Sequence, residues 1–179
     1  MHPLRDFHFC PKCGSAQFVA NDAKSNRCLD CGFVLYNNAS AAVVALIVDA
    51  DGESLLVCRR AKNPAQGTLD LPGGFVDHGE TMEQALAREV KEELNLDVTA
   101  QRYLFSLPNV YRYSDFDVHT VDLFYLVEVE NLQQLRPADD VADAFFVKFA
   151  DIRLADFGLD SVRRGAEIFI RSHLENLEK

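Results

Sequence analysis

No apolar run in this 179-residue chain approaches the ~20 residues that a membrane-spanning helix requires. The opening Met1-His-Pro-Leu-Arg5 lacks the apolar core of a secretory signal. Together these absences imply a soluble, cytoplasmic chain. Internal repeats and low-complexity tracts are also missing. Cationic excess is missing too: 18 Lys and Arg face 28 Asp and Glu, a net charge of −10. Such a balance argues against sequence-independent binding to nucleic acid. It also requires a polyphosphate ligand to arrive with, or at, a metal. What is present is a 48% hydrophobic content, enough for one domain of ordinary size with a small appendage.

The appendage is residues 1–36. Cys10-Pro-Lys-Cys13 and Cys28-Leu-Asp-Cys31 are two CxxC pairs, each followed by glycine, Gly14 and Gly32. Four thiolates at this spacing point to a tetrahedral zinc site. So short a segment lacks a sufficient core, and the metal would fold it. Disulfides do not suit a cytosolic chain, and a redox pair would need only one CxxC. His2 and His8 are spare. Zinc ribbons often suggest nucleic-acid binding, but Arg5, Lys12, Lys24 and Arg27 stand against Asp6, Asp22 and Asp30. That near balance does not track phosphates and favours a structural role or a homodimer contact.

Residues 37–179 form the second expected domain. Ala41–Val48 reads as a strand, Asp49–Gly52 as a turn and Ser54–Arg60 as the return strand of a hairpin. Cys58 lies in that strand as core filler. Arg59 and Arg60 end it, so either could meet a phosphate or cap the sheet edge; Arg59 is taken as the substrate contact. Val98–Ser106 reads as a strand and Leu107–Phe116 as an aromatic loop. Val118–Val129 and Asp143–Phe149 are further strands. From Asp160 the tail is an amphipathic helix with Val162, Ala166, Phe169, Ile170 and Leu177 on one face.

The most informative stretch runs from Gly74 to Leu96, a glycine-rich loop feeding a helix. Thr81 and Gln84 make a capping box, and Asn95 suits a left-handed helix stop. At ~100° per residue, Met82, Ala85, Leu86, Val90 and Leu94 form an apolar stripe. Glu89 and Glu93 fall inside it and Glu92 at its margin. Burying unpaired charge is costly, so either these carboxylates meet a cation or the helix is simply an acidic, solvated one. Arg88, one turn from Glu92, does not suffice for three carboxylates. Spacings of i, i+3 and i+4 can converge on one ion, and oxygen-only ligands favour Mg²⁺ or Mn²⁺.

These residues resemble the signature of the Nudix hydrolases: G, five residues, E, seven residues, REUxEExGU, with U a bulky apolar residue. Gly74, Glu80, Arg88, Glu89, Val90, Glu92, Glu93 and Leu96 match in register, and Asn95 replaces the last glycine. The resemblance implies an α/β/α sandwich with mixed sheet behind a small zinc ribbon, and hydrolysis of a pyrophosphate bond. It implies that Glu89, Glu92, Glu93 and the Gly74 carbonyl hold Mg²⁺ or Mn²⁺. Arg88 would orient the carboxylates and Glu80 would stand behind them. The general base would be Glu89 or a carboxylate on a distant loop.

The paired CxxC before the signature further resembles the NADH pyrophosphatase branch, some of whose members remove NAD caps from RNA. In that likeness Asp140 of Asp140-Val-Ala-Asp143-Ala-Phe-Phe helps hold metal. The domain that precedes the ribbon in that branch has no counterpart here. Its later marker survives only as Ser106, Pro108 and Ser114 of Ser106-Leu-Pro-Asn-Val-Tyr-Arg-Tyr-Ser114, which implies a broader nucleoside-diphosphate range. Within the expected loop Tyr111 and Tyr113 offer stacking faces and Arg112 a phosphate contact. A nucleotide sensor without catalysis is the other reading, although such proteins usually lose signature glutamates.

Overall fold

The computed structural model describes residues 2–177; the side chain of Leu177, assigned above to the last helix's apolar face, lies outside the described set. The chain forms two compact units, Met1–Ala39 and Ser40–Lys179.

In the first unit, β1 (Phe18–Asp22), β2 (Ser25–Cys28) and β3 (Val34–Tyr36) form an antiparallel meander. Among the described residues its apolar cluster is Cys10, Phe18 and Cys28, with Phe33 and Leu35 against them, and Leu4 is buried as well. Gly14 and Gly32 adopt positive φ, and their N–H groups donate to the carbonyls of Cys10 and Cys28. Each turn therefore folds a cysteine pair back on itself.

The second unit carries β4 (Ser40–Leu46), β5 (Ser54–Arg60), β6 (Leu69–Asp70), β7 (Gly73–Phe75), α1 (Met82–Leu94), β8 (Val98–Tyr113), β9 (Phe116–Val129), β10 (Val141–Lys148) and α2 (Asp160–Leu177). One sheet has the order β7-β4-β9-β8, with β4 and β9 parallel, and a second has β10-β5-β6. Two apolar cores flank them. Val43, Ala45, Ile47, Leu56 and Cys58 pack toward α1 through Ala85, Leu86, Val90 and Leu94. Alternate residues Val44, Leu46, Leu55, Val57 and Phe124 pack toward Val162, Ala166 and Phe169 of α2. The period of two along each strand thus serves two helical layers, giving the α/β sandwich with mixed sheet.

Two local expectations are corrected. The segments around Asp49–Gly52 do not form a simple hairpin: β4 pairs with β7 and β9, and β5 with β10 and β6. The turn instead carries the chain from one sheet to the other, with only a Val48–Leu55 bridge between them. Residues Leu107–Tyr113 are not a loop but the end of β8, paired through to Tyr113–Phe116. Ser114 and Asp115 both take positive φ, the tight turn that suits strand twist. Pro108 is tolerated because β8 is an edge strand.

Candidate active site

α1 starts and stops as its sequence dictates. The Thr81 hydroxyl accepts from the Gln84 N–H, the Gln84 side chain accepts from the Thr81 N–H, and Asn95 closes the helix at φ 57°. That fixes the rotation of α1, so Leu86, Val90 and Leu94 enter the core and carry Glu93 with them, while Glu89 stays half-buried at its edge. Glu93 is 8% exposed. One of its oxygens accepts from the Gly73 N–H at 2.9 Å. Burial pushes its carboxyl well above the usual carboxylate range, offset in part by that N–H. Burial also raises Glu89, against the pull of Arg88.

Arg88 is the hub of the helix's outer edge. Its guanidinium forks onto both Glu80 oxygens at 2.8 and 2.9 Å, and reaches Glu89 at 2.8 Å and Glu92 at 3.1 Å. It also donates to the Phe75 carbonyl at 3.0 Å. These hydrogen bonds hold Glu80 below its ordinary range. Glu92 is exposed.

Facing α1, β7 runs tight against β4. A Cβ on Gly73, at φ 145°, would lie 2.0 Å from the Val43 carbonyl oxygen, and one on Gly74 would lie 2.5 Å from a Glu89 oxygen. Backbone and carboxylate therefore meet where no side chain fits. Asp140, ahead of β10, pairs with Lys62.

The carboxylates do not converge as their spacing suggested. Among the described residues, only Cys10, Cys13, Cys28 and Cys31 bring their ligand atoms within 4.8 Å of one another. Arg88 holds Glu89 and Glu92 while Gly73 holds Glu93. The donor set nevertheless suits a hard divalent cation: oxygen ligands, Glu93 buried and Glu89 half-buried, with the one arginine already shared among Glu80, Glu89 and Glu92. The cysteines suit zinc directly. Sulfur separations of 3.7 Å for Cys10–Cys31 and 3.6 Å for Cys13–Cys28 match the ~3.8 Å edge of a tetrahedron with ~2.3 Å bonds. All four are free of disulfides.

A cavity of about 330 Å³ opens beside Glu93 and Gly74. Tyr111 and Tyr113 line it, stacked at 6.4 Å, and Phe75 meets Tyr111 edge-on at 5.9 Å. Asp140 lines it as well. Arg59 and Arg112 are not brought to it. Strand alternation turns both away, Arg59 onto the Gly67 carbonyl and Arg112 onto Asp117 at 2.6 Å. Arg60, one residue on, lines the cavity instead, bound to Asp70 and the Pro64 carbonyl and 3.5 Å from the Tyr111 hydroxyl. Asp70, Phe75 and Asp122 are lining residues that the sequence reading did not single out. An acid between leucines, as in Leu69-Asp70-Leu71, is the signal that could have found one of them.

Comparison with known proteins places the chain in a family. The chain is 27% identical over 151 residues to the NAD-capped RNA hydrolase NudC of Photobacterium profundum, covering 84% of this chain and 53% of that protein. It is 37% identical over 114 residues to an ADP-ribose pyrophosphatase of Methanocaldococcus jannaschii, covering 63% of each. The chain thus spans about half to two-thirds of the length of these relatives. A NUDIX hydrolase from Nitrosomonas europaea superposes with a TM-score of 0.72 at 21% identity, over 92% of this chain and 91% of that one. The NUDIX domain model matches residues 38–165, most of the second unit, and the chain belongs to the NUDIX domain family.

Proposed function

We propose that the chain hydrolyses the pyrophosphate bond of a nucleoside diphosphate linked to another moiety. ADP-ribose-like compounds and dinucleotides, NADH among them, are the substrate class, and the cytoplasm is where it acts. The observation that carries this reading is the buried Glu93, with half-buried Glu89 one turn before it, at a cavity with an aromatic mouth. Tyr113 is 60% exposed and Phe75 41%, so their faces are available to a heterocycle. Among the described residues no helix is long and apolar enough to cross a membrane.

Glu89, Glu92, Glu93, Asp140 and the Gly74 carbonyl would hold Mg²⁺ or Mn²⁺. Bound there, the ion supplies charge neutralisation on the pyrophosphate and an acidified water. Glu89 or Asp140 takes the proton from the attacking water. Arg88 fixes the glutamates, and Glu80, gripped by both arms of its guanidinium, fixes Arg88. Arg60 is the cation positioned to meet a ligand phosphate. In the ribbon, Cys10, Cys13, Cys28 and Cys31 hold one structural zinc.

A screen of nucleotides with Mg²⁺ or Mn²⁺, read by mass spectrometry, tests this. ADP-ribose or a dinucleotide should yield two monophosphates. Preferential cleavage of nucleoside triphosphates to pyrophosphate would refute the substrate class. Tight binding of nucleotides without turnover would favour a sensor.

A further inference from the structure

The end of the cavity away from α1 carries a carboxylate that the chemistry above leaves unused. Asp122 sits in β9, where its register neighbour is Ala42, and Ala42 in turn lies opposite Phe75. Paired residues project from the same face of a sheet, so Asp122 looks into the space that Phe75 borders. It lines the cavity yet is 5% exposed. By strand alternation Asp122 and Ala42 share their face with Phe124 and Val44, which pack toward α2. Asp122 therefore lies on the side remote from α1, where Ser161 of α2 reaches it.

Its surroundings are unusual for a buried acid. Arg60 is the cation lining the cavity, and it is bound to Asp70. Asp122 receives instead two hydroxyls, Thr120 Oγ1 on one oxygen and Ser161 Oγ on the other. A carboxylate offers about four acceptor positions, so two neutral donors leave half its capacity open. Thr120 also lines the cavity, and Ser161 lies between the lining residues Leu159 and Val162 at the start of α2. The hydroxyls hold the carboxylate in one orientation. As a purely structural tie between β9 and α2, a neutral side chain would serve without the cost of a buried charge.

We infer that Asp122 is a specificity-determining residue that accepts a hydrogen bond from an N–H donor on the ligand's heterocycle, such as the exocyclic amine of adenine. The inference rests on the reading that one nucleotide half occupies the cavity. About 330 Å³ is the small end of ligand pockets, room for one such half. With the pyrophosphate at Glu93 and Gly74, the heterocycle reaches the remote end. A heterocycle bearing only acceptors there would face a fixed carboxylate unpaired, the situation in which a buried polar site discriminates strongly.

The test is calorimetric binding, with Mg²⁺, of AMP and of purine riboside 5′-monophosphate, which differ by the amine alone. AMP should bind at least about tenfold more tightly, the range of a hydrogen bond to a charged group. In Asp122→Asn the contrast should shrink to about threefold or less, with melting temperature recorded for both proteins. Equal affinities in the wild-type chain would overturn the inference and need no variant. A contrast kept in Asp122→Asn, no binding of either nucleotide, or a loss that follows a ribose hydroxyl instead of the amine would also overturn it. ADP-ribose hydrolysis in the same preparation reports separately on the proposed function, so either reading can fail while the other stands.

Discussion

The molecule carries two sets of side chains of metal-ligand type, and among the described residues only one is drawn together. In the ribbon unit the four cysteine sulfurs lie within 4.8 Å of one another. In the second unit Glu89, Glu92 and Glu93 spring from one helix yet turn to Arg88 and to the Gly73 N–H. The physical difference is charge. Thiols ionise less readily than carboxyls and pack as small apolar groups, whereas carboxylates repel one another and desolvate at a cost. A thiol set can therefore be drawn together by turns such as those at Gly14 and Gly32. A carboxylate set needs a cation, and α1 provides one arginine. The two units also differ in what else holds them: one small apolar cluster in the ribbon against two extended cores in the other.

The largest effect should come from removing zinc. A structural zinc contributes on the order of 10 kcal/mol to folding a small domain. Chelation should therefore collapse the amide resonances of 2–39 while leaving those of 40–177 in place. Collapse of both sets would show that the second unit depends on the first. Metal analysis of the untreated protein should find about one zinc equivalent.

Next come the carboxylates. Glu93→Gln and Glu92→Gln keep shape and remove charge, and each should lower kcat by at least ~10²-fold, the scale of deleting a major electrostatic element. Melting in metal-free buffer should be unchanged. Retained activity in Glu93→Gln would show that α1 is not the catalytic helix.

A smaller loss is expected from Gly74→Ala. Its Cβ would stand 2.5 Å from a Glu89 oxygen, and a displacement approaching 1 Å costs up to ~10²-fold. A drop of about tenfold in kcat, with little change in melting, is the expected result. The smallest contrast separates neighbours in the strands. Tyr113→Ala should raise KM by about tenfold, in line with ~1–3 kcal/mol for a stacked base. Arg59→Ala and Arg112→Ala should stay within about twofold of wild type, because neither lines the cavity.

What the sequence made legible was local. The capping box, the Asn95 stop and the burial of Glu93, with Glu89 half-buried, are readable within the thirteen residues of the helix and its caps. The ribbon follows from cysteine spacing. What was not legible depends on strand partners. Nothing within Ser40–Arg60 announces that its two strands belong to different sheets, since pairing is set by β7, β9 and β10. Within its own window the stretch holding Tyr111 and Tyr113 resembles a loop, with Pro108 and Asn109 in it; edge position and the Ser114-Asp115 turn make it strand. Choosing Arg60 over Arg59 needed only the period of two, anchored by buried Cys58. Asp122 becomes a lining residue through cross-strand register, which no window of β9 contains.

The central claim is that α1's carboxylates form a divalent-metal site. The most direct measurement is a Mn²⁺ titration followed by electron paramagnetic resonance, on wild type, Glu93→Gln and a zinc-loaded Arg59→Ala control. Wild type and control should bind Mn²⁺ alike, and Glu93→Gln should bind at least about tenfold more weakly, the range reported for disturbing a metal site's supporting groups. Equal Mn²⁺ affinity in wild type and Glu93→Gln would contradict the account.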